Sequence, residues 1–552
     1  MGVYLNSKKP HDNYREIAES AYFVDKTAML MELIPLVEPK GNVCEQPEKE
    51  KSNKYICITR PRRFGKTVIA NMIAAFFGKG RDSSSVFRSQ KIAELYPLEI
   101  VQNQYHVISI TFSEIPKNCE TYQQYIERIQ SRLLNDLSHA FPYVKIDKGD
   151  ALWDIFNMIY EYETDEKFIF VFDEWDYIFH QDFATGEDKK NYIKFLSALL
   201  KDQPYVEFAY ITGILPIAKY SSGSELNMFF EYTMVSEEKF SSYFGFTDAE
   251  VDELFARYTR KTEHPRLTRK ELQLWYDGYY TLSGKRVYNP RSVVASLTNN
   301  NLGNYWTSSG PYDEIFYYVK RNIDAVRDDL ALMISGISVP AQVREYAATS
   351  MNLQTKDEIF SAMVVYGFLN YEKGVVSIPN KELMEQFNRM LKKESTLGYV
   401  YRLARESERM LKATLEGDTR TMTDILEFAH NTEIPLLDYN HETELTALVN
   451  LVYLAARDYY RIEREDKAGI GYVDFIFYPE LDKAADGIIL ELKVNHTPEE
   501  AIRQIKERKY ALRFQGKTGE EKIHCKRIIA VGISYDKQTK KHDCMVEVLR
   551  NR

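Results

Sequence analysis

"RPRRFGKT", Arg60 to Thr67, stands between a short β-rich run, KYICIT (Lys54–Thr59), and a dense apolar stretch, VIANMIAAFF (Val68–Phe77), that reads as a helix. Strand, loop and helix in that order are the frame of a phosphate-binding loop. Such a loop points backbone N–H groups and a helix N-terminus at the anion, with a lysine on the β/γ-phosphates and a hydroxyl on Mg²⁺. Gly65, Lys66 and Thr67 supply the end of that motif, but the usual spacing asks for glycine at position 60, and Arg60 stands there. Loop conformation at that point can be met by other residues, so a nucleotide site for ATP is expected here.

Working outward, further apolar runs occur at His106–Phe112 (HVISITF), Phe168–Phe172 (FIFVF) and Val206–Ile211 (VEFAYI). Nearly unbroken runs of that length suit parallel strands covered on both faces. Helical patterns lie between them, as at Thr121–Leu137 and Lys190–Leu200. Together they predict a doubly wound α/β unit with a parallel sheet over about residues 20–235. An ATPase also needs an acidic residue for Mg²⁺ at a strand end and a group that orients the attacking water. FIFVFDEWD places Asp173 directly after an apolar strand, with Glu174 next. Asp173 is therefore expected to hold the metal together with Thr67, and Glu174 to polarise the nucleophile.

The composition bounds the rest. The chain has 552 residues, 44% hydrophobic and 28% charged, which predicts roughly three or four domains of about 150 residues each. Five cysteines without a CxxC pair suggest neither a disulfide framework nor a zinc ribbon. No apolar h-region opens the chain and no stretch of eighteen apolar residues occurs, so a cytoplasmic protein without a membrane partner is expected. Position 6 is Asn6, so Met1-Gly2 is no myristoylation signal. The net charge of −9 argues against a generic nucleic-acid binder. From Glu491 onward, however, 15 Lys/Arg stand against 9 Asp/Glu, a surplus of 6 that leaves the remainder at −15. That asymmetry points to a basic C-terminal module.

From Thr247 onward helical patterns and loops take over. Around Asp357–Met390 a helix, a hairpin-like NYEKGVVSIP and a second helix suggest a winged-helix-like piece. In the tail, a helix from about Glu442 to Tyr459 precedes an extended Tyr460–Glu465 and strands at Tyr472–Tyr478 and Gly487–Val494. Pro498 opens a helix to about Phe514, and strands Arg527–Tyr535 and Met545–Leu549 close the chain, an α-β-β-β-α-β domain with one strand more at its end. Asp474 lies in the first of the two central strands. Glu491 and Lys493, two apart in IILELKV, share a face of the second. A glutamate and a lysine on one face of an apolar strand are costly unless paired or used. Phosphodiester cleavage needs carboxylates converging on a metal with a cation or base beside the water. Asp474, Glu491 and Lys493 thus form a candidate site for that chemistry.

RPRRFGKT, FVFDEWD, TGILPIAK (Thr212–Lys219), WYDGYY (Trp275–Tyr280), VYNP (Val287–Pro290) and VDKT (Val24–Thr27) together resemble a prokaryotic family of AAA-like ATPases with an RPRRFGKS/T loop and a nuclease-like tail. The resemblance covers most of the chain. It implies that the arginine-rich loop is a working form, with Arg62, Arg63, Gly65, Lys66 and Thr67 binding the cofactor. It also implies that Thr212 is the γ-phosphate-sensing position. Trp175 stands where tyrosine is common and Thr67 where serine is common, and neither change removes a needed group. The tail resembles the PD-(D/E)xK nuclease superfamily, which implies catalytic roles for Asp474, Glu491, Lys493 and a helix glutamine at Gln504: Asp474 and Glu491 hold the metal, Mg²⁺ first and Mn²⁺ as a substitute, and Lys493 orients the water. Glu442 and Glu444 compete for an assisting role on the first helix, and Lys509 and Tyr510 are candidates for backbone-phosphate contacts.

The expected organisation is a P-loop ATPase domain at 1–240, a helical lid at 241–320, a helical and winged-helix-like region at 321–435 and a restriction-endonuclease-like domain at 436–552. The favoured reading is an ATPase that controls a nuclease acting on nucleic acid, DNA before RNA, in prokaryotic defence, with a homo-oligomer left open. Two rivals stand beside it: a regulatory or scaffolding ATPase whose tail binds nucleic acid without cutting it, and an ATP-gated toxin acting on RNA.

Overall fold

Runs of apolar residues with no polar interruption cannot present one face to water, and here they build a sheet with helices on both sides. In the computed structural model, β1 (Tyr55–Thr59), β2 (His106–Thr111), β3 (Phe168–Asp173), β4 (Val206–Gly213) and β5 (Phe230–Tyr232) form one sheet in the order β2-β3-β4-β1-β5. Every neighbouring pair is parallel. Alternate residues of β1 feed opposite layers: Tyr55 and Cys57 pack into one core and Ile56 and Ile58 into the other. β1 lies between β4 and β5, so the chain reverses direction of travel across the sheet there. The crevice beyond the carboxyl ends of such strands is where open α/β sheets bind ligands.

The structure describes every residue except 1, 39–53, 117, 148, 163–165, 218–224, 235–236, 307–310, 345–352, 432–441, 469–470, 480–484, 516–524 and 552. The polar run at 45–53 and the last two residues of TGILPIAK therefore lie outside the described residues. No helix among those described is long and apolar enough to cross a membrane.

The chain divides into two compact units. The first comprises Met1–Ser309, Ala341–Leu353 and Asp357–Glu382, and the second Gly310–Pro340, Gln354–Lys356 and Leu383–Arg552. The first unit therefore holds the parallel sheet, the helices that follow it, and the antiparallel hairpin Asn370–Glu372/Val375–Ser377. Capping boxes at Thr185/Asp188, Thr247/Glu250 and Thr268/Glu271 start three of its helices, each satisfying backbone N–H groups that a helix start leaves open.

The second unit carries a mixed sheet in the order β6 (Tyr460–Ala468), β7 (Gly471–Pro479), β8 (Gly487–Val494), β9 (Arg527–Asp536), β10 (Lys541–Asn551). Only β8 and β9 pair in parallel, joined across the helix Pro498–Glu507. That helix stops short of the expected Phe514. Lys509 adopts φ 54°, and a 3₁₀ turn, Tyr510–Gln515, follows. The helix Glu442–Val452 likewise ends before Tyr459, replaced by the 3₁₀ segment Leu454–Asp458.

Candidate active sites

β1 hands its chain to the loop at Thr59, and the loop turns on Gly65, whose φ of 92° is a conformation that L side chains rarely adopt. Arg63, at φ 69°, contributes to the same turn. The helix Lys66–Phe77 then begins with Lys66 buried and Thr67 exposed. Lys66 Nζ donates to the carbonyls of Arg60 and Pro61, each at 2.8 Å. Burial lowers its pKa to about 8, against the pull of Asp176, Asp173 and Glu174.

Arg60 is no defect in this loop. Its side chain turns into the core, donating to the Thr59 and Tyr232 carbonyls at 2.7 Å each and stacking over Phe244 at 5.1 Å. It brackets the ends of β1 and β5. Arg62 and Arg63 instead project from the loop and are exposed.

β3 delivers the acidic turn. Asp173 is 3% exposed, and its Oδ2 is buried with no hydrogen-bond partner. Burial pushes its carboxyl up to about 6, with Glu174 adding and the Thr67 hydroxyl and Lys66 opposing. Glu174 takes φ 52°, which breaks the strand alternation. Thr212, beside Asp173 in the β3–β4 register, is fully buried and donates its hydroxyl to the Ile58 carbonyl at 3.0 Å. That hydroxyl proton is committed to β1, so a γ-phosphate contact from Thr212 requires it to turn.

The other motifs and their neighbours pack elements of the first unit together. Phe64 meets the Tyr279 ring edge-on at 5.0 Å, and its carbonyl accepts from Gly245 N at 3.2 Å. Tyr279 donates to the Gly367 carbonyl at 2.8 Å. Gly367 has φ 83°, and a Cβ there would lie 2.7 Å from Pro61 Cβ, so the segment rests directly on the loop. Asn289 of VYNP caps the following helix by accepting from Ser292 N. Lys26 of VDKT donates to Glu250 at 2.7 Å and to the Ser242 carbonyl at 2.8 Å. These contacts are architectural.

In the second unit, β7 and β8 are antiparallel with Phe475 opposite Leu490. The next position along that ladder sets Asp474 against Glu491, on one face of the sheet. Asp474 Oδ2 accepts from Leu492 N at 2.7 Å. Glu491 Oε1 accepts from Lys493 Nζ at 3.2 Å and from Gln504 Nε2. Burial, and next the Asp474 carboxylate, hold Glu491 above the ordinary carboxylate range against the pull of Lys493. Gln504 reaches Glu491 because its helix lies close over β9. A Cβ on Gly532 would meet the Pro498 carbonyl at 2.4 Å.

Tyr510 corrects an expectation. It is 1% exposed, and its hydroxyl accepts from Gln504 at 3.4 Å, so it faces the carboxylate cluster and not a surface for phosphates. Lys509 is exposed. The side chains of Glu442 and Glu444 lie outside the described residues, and the choice between them stays open.

Both sites fit a divalent cation by one observation. At each, one carboxylate oxygen is buried without a hydrogen-bond donor: Asp173 Oδ2 in the first and Glu491 Oε2 in the second. A buried anionic oxygen left unpaired is costly unless a cation uses it. Among the described residues no group of three or more His, Cys, Asp and Glu forms a metal cage. Few protein ligands suit Mg²⁺, which keeps several waters.

A parallel sheet whose first strand runs into a glycine-turned loop with a lysine, facing an acidic strand end, defines a P-loop ATPase fold. Facing carboxylates on adjacent strands with a lysine define a PD-(D/E)xK-type domain. Residues 11–222 match the predicted AAA-ATPase family, and residues 444–543 match the PD-(D/E)XK nuclease superfamily. The chain thus joins an ATPase-like domain to a nuclease-like domain, two enzyme classes in one polypeptide. It is 22% identical over 294 residues to an uncharacterized protein in the vnfD 5′ region of Azotobacter chroococcum mcd 1. That match covers 52% of this chain and 51% of the relative, so the chain spans about half the length of the curated relative it matches. Among solved structures it is similar to the Walker-type ATPase PabY2304 of Pyrococcus abyssi, at 13% identity and TM-score 0.36, covering 66% of this chain and 94% of the other. It is also similar to the ORC2 protein of Aeropyrum pernix, at 10% identity and TM-score 0.30, covering 61% and 88%.

Proposed function

We propose that the chain hydrolyses ATP in its first unit and cleaves nucleic acid, DNA before RNA, at a Mg²⁺-dependent site in its second. The supporting observation is that each site sets a lysine near a carboxylate that keeps one buried oxygen unpartnered. In the first site Lys66 meets the β/γ-phosphates, Thr67 and Asp173 hold the metal, Glu174 orients the attacking water, and Arg62 and Arg63 flank the anion. Thr212 senses the γ-phosphate after its hydroxyl turns from Ile58.

In the second site Asp474 and Glu491 hold the metal, which when bound neutralises the phosphate oxygens and activates water. Lys493 orients that water, and Gln504 fixes Glu491. The basic surplus from Glu491 onward holds the phosphate backbone against the two carboxylates. A cytoplasmic defence role against foreign DNA, with nucleotide state governing access to the nuclease, completes the reading.

The test is ATP turnover measured beside the integrity of single- and double-stranded DNA and RNA, with Mg²⁺ or Mn²⁺. Metal-dependent loss of DNA supports the proposal, and loss of RNA alone moves it to the toxin. Salt-sensitive retention of substrate without cleavage leaves a binding switch in its place.

A further inference from the structure

We infer that Asp176 is a positioning residue for ATP hydrolysis, the brace that holds the end of β4 against the acidic turn. The inference rests on the reading of the first site as an ATPase. Asp176 is 3% exposed, and its Oδ2 accepts from Ile214 N at 2.9 Å and Leu215 N at 2.8 Å. One carboxylate oxygen thus gathers two successive backbone N–H groups just past Thr212. Two other contacts bind the same pieces. Trp175 N donates to the Thr212 carbonyl at 3.2 Å, and Tyr192 OH donates to the Trp175 carbonyl at 2.8 Å.

The fit leaves no slack. A Cβ on Gly213 would sit 2.5 Å from Asp176 Oδ1 and 2.6 Å from Trp175 Cδ1, so glycine is required where β4 meets the turn. With Oδ2 committed to two backbone N–H groups, Asp176 is tied through that oxygen to the end of β4. It fixes the spacing between Thr212 and the Asp173–Glu174 pair. Misplacing a reacting group by about 1 Å costs roughly 100-fold in rate.

Asp176→Ala removes the brace, whereas Asp176→Asn keeps one oxygen able to accept both N–H groups. Steady-state turnover of the full-length chain should show kcat down about 100-fold in D176A, with KM for ATP within about threefold of wild type. D176N should recover to within about threefold of the wild-type kcat. Wild-type kcat in folded D176A overturns the inference. So does equal impairment of D176N and D176A, which would make the charge and not the brace responsible. A loss carried mainly by KM overturns it too. Should D176A fail to fold, Gly213→Ala presses on the same contact and must lower kcat, and an unchanged kcat in G213A counts against the brace. A wild-type chain that binds ATP without turning it over refutes the ATPase reading itself, a result separate from any variant.

Discussion

Asp173→Asn should make the metal-free protein more stable while abolishing its response to Mg-ATP. Asp173 is buried, its Oδ2 has no partner, and burial raises its carboxyl from 3.8 to about 6. The folded protein therefore holds this proton more tightly than the unfolded chain does. The stability it contributes is complete below about pH 4 and is lost as pH rises through about 6. At pH 7.5 the ionised carboxylate costs a shift of about 2 units at roughly 1.4 kcal/mol each, or about 3 kcal/mol. An amide escapes that cost but buries an NH₂, which returns about 1 kcal/mol. The variant should gain about 2 kcal/mol at pH 7.5, and the gain should vanish by about pH 4. Urea unfolding followed by tryptophan fluorescence reads it, since Trp175 is buried two residues away. Mg-ATP should then raise the wild-type midpoint and leave the variant's unmoved. A variant less stable than wild type at pH 7.5, with a gap indifferent to pH, would refute the reasoning. Equal stabilisation of both proteins by Mg-ATP would remove Asp173 from the site.

Lys66→Ala should weaken ATP binding by about 100-fold or more in calorimetric titration, since it removes a buried charge-assisted donor to phosphate. Unchanged affinity in a folded variant sinks the nucleotide-site assignment. Glu174→Gln should keep nucleotide bound and slow hydrolysis by about 10² to 10⁴, the usual worth of a positioned base. A wild-type rate would dismiss Glu174 from water orientation. Gly278→Ala should cost about 3 kcal/mol or more in thermal unfolding, because φ is +102° and a Cβ would lie 1.8 Å from the Pro379 carbonyl. An unchanged melting temperature would show that this packing relaxes freely.

β1 to β4 were legible because YICIT, HVISIT, FIFVFD and VEFAYITG are mostly apolar on both faces, and such runs have few alternatives to a covered parallel strand. β5 was not, because Phe230–Tyr232 is three residues long, and Phe230 is exposed. The helix after Pro498 was overextended because KERKYALRF keeps a helical spacing of apolar residues. Tyr510 and Phe514 are indeed buried, but from a 3₁₀ turn. Glu491 and Lys493 could be placed on one face by strand alternation alone. The facing of Asp474 and Glu491 depends on register between strands, which no local pattern specifies. Arg60 looked like a lost glycine until Tyr232 and Phe244, far along the chain, supplied its partners. Asp176 gave no signal beyond its place in DEWD, since its brace is made with backbone N–H groups of another strand. Gly213 and Gly367 were equally silent, because a close approach is visible only once both surfaces are in place.

On the proposed reading, the second unit cuts nucleic acid at the cluster of Asp474, Glu491 and Lys493. The most direct measurement is the integrity of plasmid and linear DNA incubated with wild-type protein and Mn²⁺ or Mg²⁺, beside folded Asp474→Ala and Lys493→Ala. The wild type should break strands only with metal, chelation should stop the breakage, and both variants should lack it. Breakage that persists in Lys493→Ala, or DNA bound by the wild type and left intact with both metals, would contradict that reading.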